Sequence, residues 1–307
     1  MVSQHLFAAV SAIQLAVKVD VCTYAGLQHG VPALMRLFDE LQLRASFFVS
    51  CGPDHSGRAI RRLLRPGFLR KMRRTNAVSM YGWRTVLYGT LLPGPQIARS
   101  CPDTLRSLVR NGHEVGMHGF DHVYWQDRLP ALSAAAVHAE IARGKEAFCE
   151  AVGEAPRAFG APGWQCTPAS FACEDEAQFA YHSDTRGFSP YFPEMDGQRF
   201  RTLEIPTTTP TLDETYGEHG TTARELTAFY RAQLHPGLNV HTVHAEMEGM
   251  TYLPLLRDLI ESVRAEVRWT QLIEVARETR SAPAAHVVVG PIAGRAGTVA
   301  WQEGARA

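Results

Sequence analysis

The chain of 307 residues lacks several features that would mark a specialised class of protein. Its 31 basic and 31 acidic residues balance, so no net positive charge draws the molecule to nucleic acid. None of its six cysteines forms a Cys-x-x-Cys pair, which favours free thiols in a reducing compartment over a disulfide framework. No apolar run reaches the about 18 residues of a membrane span, and residues 1–15 lack the basic start of a signal peptide. We therefore expect a cytoplasmic protein, either soluble or attached to a membrane surface, with no nucleic-acid partner.

Short β-branched runs alternate with helical patterns along most of the chain. The predicted strands are 15–21, 45–50, 114–117, 157–161, 179–183, 202–205, 240–243 and 267–269, and the predicted helices are 31–41, 104–109, 133–152, 223–234, 255–263 and 272–277. This alternation is typical of a parallel sheet covered by helices, which at this length closes into a barrel. The sequence therefore predicts an α/β fold, a distorted or incomplete (β/α) barrel over residues 14–280. Residues 281–307 show no periodicity, and we expect a poorly ordered tail there.

Two histidines, His118 and His122, follow the predicted strand 114–117 at His-x-x-x-His spacing. On a helical turn this spacing places both rings on one face, as a divalent metal requires of two neutral imidazoles. The pair alone is weak evidence in a chain with 13 histidines. Its position strengthens the metal hypothesis, because side chains at the carboxyl ends of parallel barrel strands meet at one mouth.

Other predicted strands also end in reactive side chains. These are Asp20 and Cys22 on the first strand, Trp164 after 157–161, Asp184 and Arg186 after 179–183, and His244 with Glu246 after 240–243. Each alone has an ordinary structural explanation, such as a capping aspartate or a core histidine. Their joint placement at one mouth favours an active site.

The set of residues fits metal-assisted amide hydrolysis. A divalent ion lowers the pKa of water and polarises a carbonyl, a carboxylate accepts a proton, and a second group protonates the leaving amine. In this interpretation His118 and His122 bind the metal. Asp20 is the candidate base, His244 is the candidate acid, and Asp184 orients or tunes a histidine.

These motifs resemble those of the NodB-type polysaccharide deacetylase superfamily, the family 4 carbohydrate esterases. The resemblance extends over residues 14–280 and rests on Val19-Asp20-Val21, Gly30-Val31-Pro32, Ala45-Ser46-Phe47-Phe48, Gly52-Pro53-Asp54, Gly112-His113-Glu114-Val115-Gly116, the His118–His122 pair, Ser183-Asp184, Ile205-Pro206, Pro210-Thr211 and His244-Ala245-Glu246. The Gly-Pro-Asp and His-Ala-Glu-x-Glu-Gly segments are similar to the subgroup that acts on lipid-linked sugars. The resemblance implies a distorted barrel, a divalent metal held by the histidine pair and a first-motif carboxylate, and hydrolysis of an N-formyl or N-acetyl group.

Two departures from the family pattern concern the site itself. Cys22 stands where the first motif carries its second carboxylate, and Phe159–Trp164 lacks the arginine of the third motif. A thiolate is a good zinc ligand and favours Zn²⁺ over harder ions. Three alternatives stay open: Cys22 binds the metal; the two histidines, Asp20 and water bind it, with Glu246 or a water relay as base; or the site is weakened or lost.

The segment 54–100 is an insertion of about 45 residues, too long for a plain loop. No Asp or Glu occurs between Asp54 and Asp103. Its basic residues include Arg58, Arg61, Arg62, Arg65, Arg70, Lys71, Arg73 and Arg74. We weigh a solvated helical hairpin, a basic amphipathic helix pair lying on an anionic membrane, and a nucleic-acid groove, which would leave the apolar faces without purpose.

The resemblance and the insertion together imply a deformylase of a formamido-arabinose on undecaprenyl phosphate, acting in lipid A modification at the cytoplasmic face of the inner membrane. The expected substrate-binding residues are Asp54, Trp164, Arg186 and Glu246, with Arg70 and Arg74 also contacting the substrate. The alternatives are a deacetylase of another N-acylated sugar and a catalytically silent protein that binds a lipid-linked sugar. The oligomeric state does not follow from the sequence.

Overall fold

A computed structural model of the chain describes residues 13–58, 85, 87–293, 295 and 297–304, and its main element is a parallel sheet of eight strands. These strands are β1 (Ile13–Val21), β2 (Ser46–Val49), β3 (Glu114–Met117), β4 (Ala158–Phe159), β5 (Tyr181–His182), β8 (Leu203–Glu204), β9 (Gly237–His244) and β10 (Val267–Thr270). Strand β1 pairs with β9 along one edge, and along the other it pairs first with β10 and then with β2. From β2 the sheet continues through β3, β4 and β5 to β8.

The sheet curls into a distorted and incomplete barrel. Between β8 and β9 there is no regular ladder among the described residues. Instead, the backbone N–H groups of Thr208 and Thr209 donate to the carbonyl of Val240 at 3.1 and 3.3 Å. This irregular seam is why the barrel is distorted, and the predicted α/β barrel fold is confirmed.

Helices cover the outer face of the sheet. They are α1 (Val31–Glu40), α2 (Ile97–Ser100), α3 (Pro102–Arg110), α4 (His122–Arg128), α5 (Ala134–Val152), α6 (Pro168–Ala177), α7 (Leu212–Thr215), α8 (Ala223–Gln233), α9 (Leu253–Val263) and α10 (Leu272–Glu278). Helix α5 is capped at its N-terminus by Ser133, whose side chain accepts from the N–H of Ala136, and at its C-terminus by Gly153, with a φ of 98°. The largest core cluster, which includes Phe38, Phe47 and Phe148, lies between these helices and the sheet.

The prediction of a poorly ordered tail is wrong for the part of the tail that the structure describes. A second sheet has the order β12-β11-β6-β7, with β6 (Phe192–Met195), β7 (Gln198–Arg199), β11 (Ala284–Pro291) and β12 (Thr298–Gln302). Strand β12 is buried from Val299 to Gln302, and Arg186 bonds to it through its N–H to Ala300 O at 2.9 Å and its carbonyl from Gln302 N at 2.7 Å. The tail is ordered because it pairs with β6 and with Arg186. These partners lie far away in the sequence, so the tail's own residues do not reveal them.

The two ends of the insertion meet at the barrel. Pro53 forms an antiparallel bridge with Gln96, and the N–H of Gly57 donates to Tyr88 O at 2.9 Å. The predicted basic helices, including Arg70 and Arg74, lie outside the described residues. In the described part of the chain, no helix is long and apolar enough to cross a membrane.

Candidate active site

Strand β1 carries three polar residues on one face as it reaches the mouth of the barrel. Lys18, Asp20 and Cys22 lie two positions apart, so their side chains point to the same side. Lys18 and Asp20 are buried, whereas Cys22 is half-buried. The strand therefore places Lys18 and Asp20 inside the barrel and the thiol of Cys22 at its rim.

The structure brings Cys22, His118 and His122 together, and we name this group the rim triad. One ligand atom from each residue lies within 4.8 Å of the others. His118 follows β3, Gly119 turns the chain with a φ of 72°, and Asp121 caps α4 by accepting from Tyr124 N at 3.0 Å. This cap starts α4 at His122 and directs the second imidazole towards the first, with ring centroids 5.1 Å apart.

One peptide unit connects His118 to Asp184. The Nδ1–H of His118 donates to Gly160 O at 2.7 Å, which leaves Nε2 as the lone-pair nitrogen. The N–H of Ala161, in the same peptide unit, donates to Asp184 Oδ1 at 2.7 Å. Burial lowers the pKa of His118 to about 4, so the ring is neutral at pH 7, the form that binds metal. The structure thus links Asp184 to a histidine of the rim triad through hydrogen bonds.

Lys18 supplies a cation beside Asp20. Its Nζ lies 3.6 Å from Asp20 Oδ1 and donates to Ser183 O at 2.9 Å. The ammonium also lies 5.1 Å from the ring centroid of Phe48 and 5.8 Å from that of Trp164. Sequence reasoning noted the missing arginine of the third motif but overlooked Lys18. The period-two spacing from Asp20 was the available signal.

Two buried glutamates line the site after β9. Glu246 Oε2 accepts from the N–H of Cys22 at 3.4 Å, and burial raises the pKa of Glu246 to about 7. Burial, with Glu246 and Asp20 adding to it, raises the pKa of the Cys22 thiol well above its usual value. Glu248 was not predicted; its Oε2 accepts from His244 N at 2.9 Å, and burial raises its pKa to about 8.

His244 ends β9 at the rim. The N–H of Ala245 donates to Asp20 O at 2.9 Å, which joins the ends of β9 and β1. The imidazole of His244 lies edge-on to Trp164, with ring centroids 6.4 Å apart. His244, Asp20 and Trp164 therefore lie close together at this end of the barrel.

Two predicted substrate-binding residues make internal contacts instead. Arg186 is buried, donates from Nη1 to both carboxylate oxygens of Glu214 at 3.1 Å, and donates from Nη2 to Thr209 O at 2.8 Å. Asp54 is also buried, and its oxygens accept from Tyr24 N at 2.9 Å and from Ser56 N at 3.0 Å. These contacts occupy much of both side chains, and their roles in substrate binding stay predictions.

Beneath the rim lies a second group, Glu174, His182 and Asp184, which we name the inner cluster. Its possible ligand atoms also lie within 4.8 Å of one another, and all three residues are buried. His182 Nδ1 bonds to Glu204. Burial opposes protonation of His182, but Glu204, Asp184 and Asp175 together raise its pKa above the usual value. Burial and the neighbouring Asp184 raise the pKa of Glu174 well above its usual range.

Comparisons with known proteins agree with this geometry. Residues 15–181 match the family model for polysaccharide deacetylase. A Shewanella sediminis protein named probable 4-deoxy-4-formamido-L-arabinose-phosphoundecaprenol deformylase ArnD is 36% identical over 264 residues, 85% of this chain and 85% of that protein. A Wigglesworthia glossinidia brevipalpis protein of the same name is 30% identical over 283 residues, 91% of this chain and 98% of that protein. The crystal structure of a Mycobacterium smegmatis protein assigned to the polysaccharide deacetylases superposes with a TM-score of 0.64 at 21% identity, over 91% of this chain and 93% of that one, and shows the shared fold.

Proposed function

Because the chain belongs to the polysaccharide deacetylase family, we propose that it is a metal-dependent hydrolase of the N-formyl group of 4-deoxy-4-formamido-L-arabinose carried on undecaprenyl phosphate. The observation that carries this proposal is the convergence of the rim triad, Asp20 and His244 at one end of the barrel. The choice of a formyl group on a lipid-linked sugar rests on two relatives with that name that match most of the chain.

The rim triad suits a divalent ion. His118 offers a neutral ring with Nε2 as its lone-pair nitrogen, His122 lies beside it, and Cys22 adds a thiol within the same 4.8 Å group. Two nitrogens and one sulfur are a ligand set typical of zinc, and we propose Zn²⁺ as the metal. When bound, such an ion lowers the pKa of water and polarises a carbonyl oxygen.

The residues around the triad then move the protons. Asp20 takes a proton from the attacking water as the water oxygen bonds to the formyl carbon. Lys18, 3.6 Å away, stabilises the negative charge of Asp20 in this buried position. His244 donates a proton to the amine nitrogen as the carbon–nitrogen bond breaks, which releases formate and the amino sugar. Glu246 stays the alternative base, because burial raises its pKa to about 7 and it contacts Cys22.

We propose that the insertion brings the enzyme to the anionic cytoplasmic face of the inner membrane as a peripheral protein. It begins beside the site: His55 Nδ1 lies 2.6 Å from Oδ2 of Asp121, the residue before His122. Its basic residues carry no acidic counterpart, and each contributes on the order of 1 kcal/mol near an anionic membrane. Arg70 and Arg74 are candidates to contact the substrate there. The amino sugar product carries a positive charge, and its use in lipid A would reduce surface negative charge.

The test is formate release from the formamido-arabinose lipid after chelation, with and without added zinc. We expect zinc-dependent release by the wild type and by His138→Ala, an exposed histidine of α5, but not by His118→Ala. Release of acetate from the N-acetyl analogue with no release of formate would favour a deacetylase of another sugar. A folded protein that neither binds zinc nor releases formate would favour the catalytically silent sugar-lipid binder.

A further inference from the structure

The tail carries an arginine to the rim that no prediction included. Arg295 lies in the turn between β11 and β12, and its side chain is 10% exposed. Its guanidinium carbon stacks 4.8 Å from the ring centroid of Trp164. Trp164 packs with Ile292, Val299 and Trp301, so the hairpin that holds Arg295 is anchored on the same indole. The arginine is therefore held in place by its own hairpin.

Trp164 places Arg295 next to the catalytic end of the site. His244 lies edge-on to this indole at 6.4 Å, and the ammonium of Lys18 lies 5.8 Å from it. One aromatic ring thus separates Arg295 from the proposed acid His244. A pyranose likewise separates a nitrogen at its position 4 from a phosphate at its position 1 by one ring.

Near Trp164, one of the two guanidinium groups has hydrogen-bond donors without an acceptor among the described residues. Glu214 already accepts two hydrogen bonds from Arg186 at 3.1 Å and one from Thr211 N at 3.0 Å. Arg295 Nη1 lies 3.6 Å from Glu214 Oε1, and among the described residues its guanidinium makes no hydrogen bond. Two arginines and one glutamate carry a net charge of +1. An anion with a single negative charge would neutralise this group.

We infer that Arg295, stacked on Trp164, binds the phosphodiester of the lipid-linked substrate. This inference rests on the proposed function and names the contact that recognises the phosphate. A guanidinium presents parallel N–H donors that match two phosphate oxygens, and a phosphodiester carries the single negative charge that the group lacks. Arg186 then acts as the support that fixes Glu214, while Arg295 faces the ligand.

The test compares two substrates in the zinc-loaded full chain. One is neryl phosphate esterified to formamido-arabinose, and the other is the methyl glycoside of the same sugar, which has no phosphate. In Arg295→Gln we expect KM for the phosphodiester to rise by about tenfold or more, with kcat/KM for the methyl glycoside unchanged. Arg295→Lys should recover part of the loss. Arg199→Gln, on exposed strand β7 of the same small sheet, should match the wild type.

Equal losses on both substrates would overturn the inference, because they would show that Arg295 only supports the hairpin. An unchanged KM for the phosphodiester would overturn it as well. Calorimetry with dibutyl phosphate and with inorganic phosphate separates this inference from the proposed function, since binding needs no turnover. Dibutyl phosphate binding that Arg295→Gln weakens would support the subsite even if no formate is released. Tighter binding of inorganic phosphate than of the diester would overturn the assignment to a lipid phosphodiester.

Discussion

The rim triad and the inner cluster each bring three possible metal ligands to similar separations, but their ligand types and surroundings differ. Both groups bring three possible metal ligands within 4.8 Å. In the rim triad Cys22 and His122 are half-buried, whereas every member of the inner cluster is buried. Burial keeps His118 neutral at pH 7 by lowering its pKa to about 4, whereas the carboxylates around His182, Glu204 foremost, raise its pKa despite burial.

Because the ligand separations are similar, we use the difference in surroundings to predict that the rim triad, and not the inner cluster, binds the metal. A neutral imidazole offers a lone pair to a metal, and the raised pKa of His182 makes its ring less ready than that of His118 to offer one. In the inner cluster, burial and Asp184 raise the pKa of Glu174 well above its usual range, so a proton on Glu174 reduces the negative charge of the cluster. The inner cluster therefore acts as a support. Through the Gly160–Ala161 peptide it holds the imidazole that the rim triad uses.

The strongest test of this comparison replaces one histidine of each group in two separate variants. We expect His118→Ala to lose about 100-fold or more of the formate release and most of the bound zinc, because it removes a ligand. His182→Gln should keep its zinc, because Glu204 already bonds to His182 Nδ1 and the raised pKa of His182 disfavours the neutral ring that binds metal. Zinc is measured by mass spectrometry of the purified, dialysed protein. If zinc instead disappears from His182→Gln and persists in His118→Ala, the roles of the two groups are reversed.

A second test concerns how the rim compensates its own buried charge. We expect Lys18→Met to lower the free energy of unfolding by about 3–5 kcal/mol, because it leaves Asp20 buried without its cation. Lys18→Met should also release formate more slowly, because the proposed base Asp20 loses the cation that stabilises its charge. Urea unfolding and initial rates of formate release give the two measurements.

The double variant Lys18→Met with Asp20→Asn is the control for this prediction. It removes both charges, so most of the lost stability should return, whereas activity should be lost because Asp20 is the proposed base. Lys18→Arg keeps a cation and should keep part of the stability and part of the activity. If Lys18→Met unfolds at the wild-type urea concentration and releases formate at the wild-type rate, Lys18 does not stabilise the charge of Asp20.

The regular parts of the fold were predictable because their signals are local. The predicted helix 133–152 corresponds to α5, Ala134–Val152, and the predicted strand 114–117 is β3. The candidate site residues were chosen by a related argument. Parallel strands of a barrel end at one rim, so a reactive residue that directly follows a strand is expected to lie at that rim. His118 and His244 both follow this rule.

Long-range pairs were the part that the sequence did not predict. Strand β11 pairs with β6, which is short and lies about 90 residues earlier, and neither strand has a clear alternating pattern. For this reason the tail was expected to be poorly ordered and Arg295 was overlooked. Lys18 was overlooked because its hydrogen-bond acceptor, the carbonyl of Ser183, is 165 residues away. Nothing local to a lysine in an apolar strand indicates such a partner.

The smallest expected effect is a change in how stability depends on pH. Glu174 has a folded-state pKa raised well above 4.5 by burial and Asp184, so the folded protein binds a proton that the unfolded chain releases. Its contribution to stability is full below the unfolded pKa and is lost as pH rises through the folded pKa. The raised pKa values of Asp184, about 6, and of His182 act with the same sign.

We therefore expect Glu174→Gln to flatten the decline of stability between about pH 5 and about pH 8, a range that lies above the ordinary pKa of a glutamate. Glutamine does not titrate, and its amide can donate to Asp184 where the protonated glutamate did. Urea unfolding of the metal-free protein at both pH values measures the slope, because zinc binding at the rim has its own pH dependence. Glu176→Gln, an exposed glutamate in the same helix α6, should keep the wild-type slope. Since other buried groups titrate in both proteins, only the difference between the two slopes reports on Glu174. An identical slope would mean that the inner cluster does not hold its charges by protonation, and the contrast with the rim triad would lose its basis.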